Sequence, residues 1–180
     1  MTVTDAPWAS PISAAMRLEL LRVSTPVLSA LGNDETDAAS RSSNVELTPY
    51  LLGENCRWLW RFRSEQTAQK PADAAWITRI VLDVDTNVAV GLAGFHGAPD
   101  ENGMVEIGYQ IDPIYRRRGY ARSALEILLR TANNDAQVHV VRATISPDNI
   151  PSLALIDQYG FREVGEQWDE EDGLEIIFEK

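Results

Sequence analysis

Apolar and charged positions alternate, with one slip, over 16–23, which predicts a first strand. Ser24 stands before a short apolar run (Pro26, Val27, Leu28, Leu31) that ends at Gly32-Asn33, a helix with a start and a stop signal. The polar stretch 34–44 reads equally as a solvated helix or a loop. Thr48-Pro49-Tyr50 opens a second helix that runs to about Gln69, with Leu51, Leu52, Trp58, Leu59 and Phe62 as its apolar face. Two runs rich in Val, Ile and Leu, 76–84 and 88–96, flank Asp85-Thr86-Asn87 and predict a hairpin. A Gly- and Pro-bearing turn over 97–103 then returns the chain into 104–111, a third consecutive antiparallel strand closed by Asp112-Pro113.

From Ala121 to Ala132 the period changes to that of a helix, with Leu125, Leu128 and Leu129 on one face. A strand follows over 138–145. Asn149 caps a further helix that tolerates Pro151 in its first turn and stops at Tyr159-Gly160. Residues 161–168 and 174–178 close the chain as a hairpin. The segment 1–13 has no periodicity and carries two prolines, so it is expected to be a mobile arm ahead of one domain over 14–180. This order predicts a single α/β domain: a mixed, mostly antiparallel twisted sheet of about seven strands flanked by about four helices.

Composition narrows the class. At 180 residues, 44% hydrophobic and with five Trp, the chain suits one globular domain with a sizeable core. Its longest apolar stretch, near 88–95, is too short to span a bilayer, and the N-terminus lacks the plan of a signal peptide. Cys56 is alone, so no internal disulfide forms; beside Trp58 it reads as a small core residue. A cytoplasmic protein is expected. No His/Cys cluster calls for a metal. A homodimer stays open.

The net charge of −11 argues against nucleic acid as a partner. It makes the cluster Arg116-Arg117-Arg118 informative, because that cluster runs against the overall sign. Strand, short glycine-bearing loop and helix start, over Tyr115 to Arg122, make an anion site from backbone N–H groups and arginine. The acidic remainder suits a cationic second ligand.

The motif Arg-x-x-Gly-x-Ala at 116–121, preceded by Glu106-Ile107-Gly108-Tyr109-Gln110-Ile111-Asp112-Pro113, resembles the acetyl-CoA motif of the GNAT N-acetyltransferases. A second motif, Asn149-x-x-Ser152 followed by Tyr159-Gly160-Phe161, resembles that family's late strand-and-helix signature. The element order agrees from about Met16 to Phe178. The Ile-Gly-Tyr and Asn-x-x-Ser forms are most similar to the Rim-type branch, which acetylates protein N-termini, alongside relatives that modify small amines.

The resemblance implies acetyl-CoA as cosubstrate and a primary amine as acceptor, joined by direct transfer in a ternary complex. It places the pyrophosphate on Arg116, Arg117, Arg118, Gly119, Tyr120, Ala121 and Arg122. The pantetheine is expected along Tyr109, Gln110 and Ile111, like an added strand, with contacts from Asn149 and Ser152. Amine attack needs a base, and Glu106 is the best placed in the sequence, with His96 expected on an adjoining strand. A backbone N–H at Ile111 is expected to meet the oxyanion. Two familiar positions depart from the pattern. The late-helix tyrosine that serves many relatives as thiolate acid corresponds to Ile156, and a fifth-strand glutamate base corresponds to Thr144. Ser152, Tyr159 or water is left to protonate the thiolate. These departures motivate the rival reading, a non-catalytic acyl-CoA-binding or sensor module. The amine side is expected among the early helices and the terminal hairpin, with Trp58, Trp60, Trp76 and the acidic tip 169–172 as candidates.

Overall fold

The structure, a computed structural model, describes residues 6–11, 16–42, 45–170 and 173–180, with side chains at 40–42 excepted. In chain order the described elements are β1 (Trp8–Ala9), β2 (Leu18–Leu21), α1 (Thr25–Gly32), α2 (Thr36–Ser42), β3 (Glu46–Leu47), α3 (Pro49–Leu52), α4 (Glu54–Gln69), β4 (Arg79–Asp83), β5 (Val88–Phe95), β6 (Met104–Ile111), α5 (Tyr120–Asn133), β7 (Val140–Ile145), α6 (Ile150–Asp157), β8 (Arg162–Asp169) and β9 (Gly173–Glu179). The sheet order is β1-β2-β4-β5-β6-β7-β9-β8, with the short β3 beside β5. Pairing is antiparallel except at β3–β5 and β6–β7. No helix among the described residues is long and apolar enough to cross a membrane.

The α/β architecture is as expected, with more elements. The two strands beyond the expected seven, β1 and β3, are two-residue pairings too short to show a period. The ambiguous 34–44 stretch contains α2, and the long early helix is broken at Gly53 into α3 and α4. Ser24 and Thr48 stand at the expected N-caps but their side chains make no capping bond; the Asn149 side chain does, accepting from the Ser152 N–H.

The expected mobile arm differs where it is described. Trp8 is buried and pairs with Leu20, and the buried Arg79 donates to the Ala6 carbonyl at 2.9 Å while stacking 3.7 Å from the Trp8 ring. Burial of an indole against a guanidinium ties residues 6–9 to β4. The rest of 1–13 lies outside the described residues.

The sheet separates two cores. On one face the α5 residues Ala124, Leu125, Ile127, Leu128, Leu129 and Ala132 pack with Val105, Ile107, Ile111, Val141 and Ile156. On the other, α1 and α4 pack Leu28, Leu31, Cys56 and Trp60 against Ile80, Ala89 and Leu92. Cys56 is fully buried and its thiol is pushed up to about 11, by burial first and by Asp112 second, so it is an inert core residue.

The buried stripe of α4 is Cys56, Trp60, Arg63 and Thr67, spaced as one helix face, rather than the expected Trp58, Leu59 and Phe62. Two polar members, Arg63 and Thr67, disguise that stripe in the sequence. Trp58 and Phe62 are 57% and 51% exposed and form a second aromatic stripe.

Candidate active site

Strand β6 has two unlike edges. Toward β5 it is paired along 107–111, from Phe95↔Ile107 to Gly91↔Ile111. Toward β7 it is paired only at its start, Met104 to Glu106 against Val140 to Arg142. The two parallel strands then diverge, and β7 continues on β9 instead. The N–H groups of Asp112 and His96 bond Val90 and Glu106 across the β5–β6 ladder. Hydrogen bonding alternates along an antiparallel strand, so the backbone groups of Ile107, Tyr109 and Ile111 point away from β5, into the fork. A strand edge opened inside a sheet presents donors at strand spacing.

A cleft of ≈ 870 Å³ runs through this fork. Its walls come from both faces of the sheet: Glu106, Gln110 and Thr144 on one, Tyr109, Ala143 and Ile145 on the other, with Asn149 and Ser152 at the start of α6. The α4 aromatics Trp58 and Phe62 and the β8–β9 residues Trp168, Asp169, Glu170 and Glu175 form its outer part.

Glu106 is held rather than free. Its Oε1 accepts from Thr144 Oγ1 at 2.7 Å and lies 3.5 Å from His96 Nδ1. The His96 ring is kept below its ordinary value, because desolvation by the cleft walls and the Arg63 guanidinium together outweigh the attraction of Glu106. Arg63, only 5% exposed, donates to Thr78 Oγ1 at 3.1 Å and to the His96 carbonyl at 3.0 Å. Burial lowers it to about 10, against the opposing pull of Asp73 and Glu106. Gln66 links Arg63, the His96 carbonyl and Asp73, whose other oxygen accepts from the Ala98 N–H. This network locks the end of β5 over Gly108, where a Cβ would meet His96 Nε2 at 2.9 Å.

Beyond Ile111 comes the arginine loop. Asp112 accepts from the Ile114 N–H and starts a 3₁₀ turn over Pro113–Tyr115. Arg117 and Gly119 both take positive φ, 63° and 92°, and α5 starts at Tyr120. Its first helical bond runs from Ser123 N–H to the Gly119 carbonyl, leaving the N–H groups of 120–122 for an anion. A Cβ on Gly119 would meet only the Met16 methyl, at 3.8 Å, so the approach is open.

The expected cofactor residues divide here. Arg117 and Arg118 are exposed, Arg118 lying 5.4 Å over the Tyr115 ring. The Arg116 side chain turns back to the Ile111 carbonyl at 3.0 Å, and Arg122 reaches Gln158 at 2.6 Å. The Tyr120 side chain is buried, its hydroxyl donating to Asp83 at 2.7 Å, so only its backbone faces the loop; Ala121 is half-buried beside it. Burial opposes ionisation of Asp83, but hydrogen bonds from Tyr120, Thr86 and Asp85 outweigh it and hold the carboxylate low.

Of the other named residues, Glu106, Tyr109, Gln110, Asn149 and Ser152 line one cleft; Ile111 is buried in the core beyond it. Gln110 also donates to the Tyr50 hydroxyl. Tyr159 is not in the cleft: its hydroxyl donates to Glu126 at 2.6 Å, which removes it as a source of protons for the fork. Ile156 is buried in the core. Trp58 lines the cleft, whereas Trp60 and Trp76 are core residues. Of the acidic tip, Asp169 and Glu170 line the cleft and 171–172 lie outside the described residues. Arg63 was not legible as a site residue, since its significance arises only from contact with distant partners, and Thr144, expected in the place of a fifth-strand base, instead donates to Glu106.

The arrangement fits a phosphate-bearing, extended acyl donor: donors at a helix start, a bared strand edge leading away from them, and a carboxylate beside that edge. Comparison with known proteins agrees. The family model described as "Acetyltransferase (GNAT) domain" matches residues 27–162. A curated relative, the uncharacterized N-acetyltransferase YjdG of Bacillus subtilis (strain 168), is 37% identical over 148 residues, 81% of this chain and 86% of that protein. Mycobacterium smegmatis RimJ in complex with CoA-disulfide superposes with a TM-score of 0.64 at 18% identity, over 97% of this chain and 85% of that one. A putative ribosomal-protein-serine acetyltransferase from Vibrio cholerae gives 0.63 at 18% identity, over 100% and 99%. With its donor loop, its forked strand and a domain-length match to the family model, the chain belongs to the GNAT acetyltransferases, whose acetyl donor is acetyl-CoA.

Proposed function

We propose that this protein transfers the acetyl group of acetyl-CoA to a primary amine, either a protein α-amino group or a small polar amine, by direct attack in a ternary complex. The observation that carries the proposal is the fork: the edge of β6 that β7 leaves after Glu106, beside that held carboxylate, in one continuous cleft lined from Glu106 to Gln110.

The N–H groups at 120–122, with Arg117 and Arg118, suit the phosphates. The bared edge of β6 suits the amide-bearing arm of the donor, with Asn149 and Ser152 on the opposite wall. An amine is mostly charged near neutral pH and must lose a proton to attack. Glu106 receives it, its orientation set by Thr144 Oγ1 and His96. The Ile111 N–H meets the charge that develops on the thioester oxygen. Exposed aromatics (Trp58, Phe62, and Trp168 at 77%) and the carboxylates Asp169, Glu170 and Glu175 surround the outer cleft and suit a cationic acceptor.

The test is thiol release from acetyl-CoA by the purified protein, with a panel of small amines and N-terminal peptides. Turnover with at least one amine supports the proposal. Acetyl-CoA binding with no turnover across the panel would replace it by the non-catalytic acyl-CoA-binding reading.

A further inference from the structure

Arg63 is a buried cation without a counter-ion. Its side chain stands in the wall of the cleft, and among the described residues no carboxylate lies within ion-pairing distance of it. Its bonds go to neutral acceptors: Thr78 Oγ1 at 3.1 Å, Gln66 Oε1 at 2.6 Å and the His96 carbonyl at 3.0 Å. Charged side chains are almost never buried unpaired, because the desolvation loss is not recovered. Fastening the end of β5 does not require the charge. Gln66 donates to the same His96 carbonyl at 2.7 Å and is itself held by Asp73 at 2.7 Å. An uncharged side chain would fill the space at less cost to stability, so the charge calls for a second role.

That role lies on the far side of His96. Its Nδ1 stands 3.5 Å from Glu106 Oε1, and its side chain is 49% exposed, so solvent can bring it a proton. Protonated, the ring would pair with the carboxylate. An imidazolium there would weaken the carboxylate's attraction for an amine proton and repel an incoming ammonium. The other charged groups around the pair are already engaged. Arg142, the register partner of Glu106 on β7, bonds Glu179 at 2.6 Å. Asp73, in the turn after α4, accepts from Gln66 and from the Ala98 N–H. Of the charges that act on the ring, Glu106 invites a proton and Arg63 opposes it.

We propose that Arg63 is a positioning residue for amine deprotonation: its guanidinium, fixed against the His96 carbonyl, excludes a proton from His96 and so keeps Glu106 open to the amine. This rests on the acetyl-transfer reading above. The ring then stands beside the carboxylate as a neutral wall. The amine arrives as an ammonium, gives one proton to Glu106 and attacks as the free base; Glu106 returns that proton to solvent after the products leave. Arg63 itself exchanges no proton, since burial lowers it only to about 10 and it stays charged through the neutral range. Desolvation by the cleft walls works in the same direction on His96, against the pull of Glu106.

The test follows His96 by NMR titration; the chain has two histidines, and H96Q assigns the signal. In the wild type we expect the ring to take its proton below about 6.5, the ordinary value. R63Q drops the charge but can still donate to the His96 carbonyl, and R63M drops both. Each should raise the midpoint by roughly half a unit to one unit, the order expected for losing one nearby fixed charge. R63K keeps the charge and should leave the midpoint near that of the wild type. The acid limb of kcat/KM should move with the midpoint, while acetyl-CoA affinity by calorimetry stays within about twofold. In the double variant R63Q/H96Q the proton has no ring to occupy, so kcat/KM near pH 6 should exceed that of R63Q by about threefold or more. A packing role alone would lower the melting temperature of R63Q and R63K alike and leave the midpoint unmoved, which would overturn the proposal and leave acetyl transfer standing. A double variant no faster than R63Q, or a wild-type ring that protonates at or above its ordinary value, would overturn it equally. Where neither neutral variant folds, the wild-type midpoint decides. A wild type that turns over no amine would overturn both readings.

Discussion

The arginine loop and the surroundings of Glu106 meet at opposite ends of β6, and they are built in different ways. The loop works through neighbours in sequence: positive φ at Arg117 and Gly119 turns the chain so that the N–H groups of 120–122 point outward together. Around Glu106 the neighbours come from far along the chain. Thr144 is 38 positions away, and the Arg63 that supports His96 is 33 positions from it. A local device tolerates change in its side chains, because its donors are backbone. An assembled one depends on each side chain being held by others.

The largest effect should come from breaking the assembled end. Glu106→Gln keeps the Thr144 contact but cannot take a proton, and should lower kcat by roughly 10²–10⁴-fold with acetyl-CoA affinity unchanged. Steady-state kinetics with calorimetry reads this. A loss under about threefold, or less than 1 kcal/mol, would reassign Glu106 to structure.

The local end should fail in the opposite sense. Gly119→Val forces a β-branched residue into the left-handed region at a cost of about 1–2 kcal/mol and moves the first turn of α5. Acetyl-CoA affinity should fall about tenfold while kcat at saturation stays near wild type. An unchanged Kd would show that the loop is not the anion site.

A third change separates support from contact. Tyr120→Phe removes the buried bond to Asp83 and should destabilise the protein by about 1.5–3 kcal/mol in denaturant unfolding, because the acceptor is a carboxylate. Since only the backbone of Tyr120 faces the loop, acetyl-CoA affinity should move far less than in Gly119→Val.

The mildest expectation concerns pH. His96 is held below its ordinary value of about 6.5, so the folded fork favours the neutral ring. For a depressed group the stabilisation is complete above that ordinary value and is lost as pH falls through the folded one. Stability and kcat/KM should both decline on the acid side, and His96→Gln should flatten that limb of the stability profile. A stability profile unaltered by the substitution would remove His96 from the account.

The same contrast governs what could be read in advance. The hairpin 79–95, the α5 stripe, the Asn149 cap and the loop at 116–122 are all local patterns, set by periodicity or by single residues with special backbone freedom, and they stand where expected. The α4 face was misjudged because Arg63 and Thr67 look like surface residues until Thr78 and the His96 carbonyl are brought to meet them. Tyr109 was expected along the pantetheine for its place on the strand; nothing in a one-dimensional pattern marks a hydroxyl that will be buried without a partner. Residues 6–9 lack any period, and their anchoring depends on a buried arginine 73 positions away.

By itself, the chain's order of residues determined the longer elements, their order along the chain and the anion-binding turn, since each follows from hydrogen bonding and burial within a few neighbouring positions. Tertiary structure alone decided that β6 and β7 part after Glu106, that the cleft passes through the sheet there, and which side chains flank it. Those are outcomes of packing two cores on opposite faces of one twisted sheet. That packing joins residues whose separation along the chain carries no period to read.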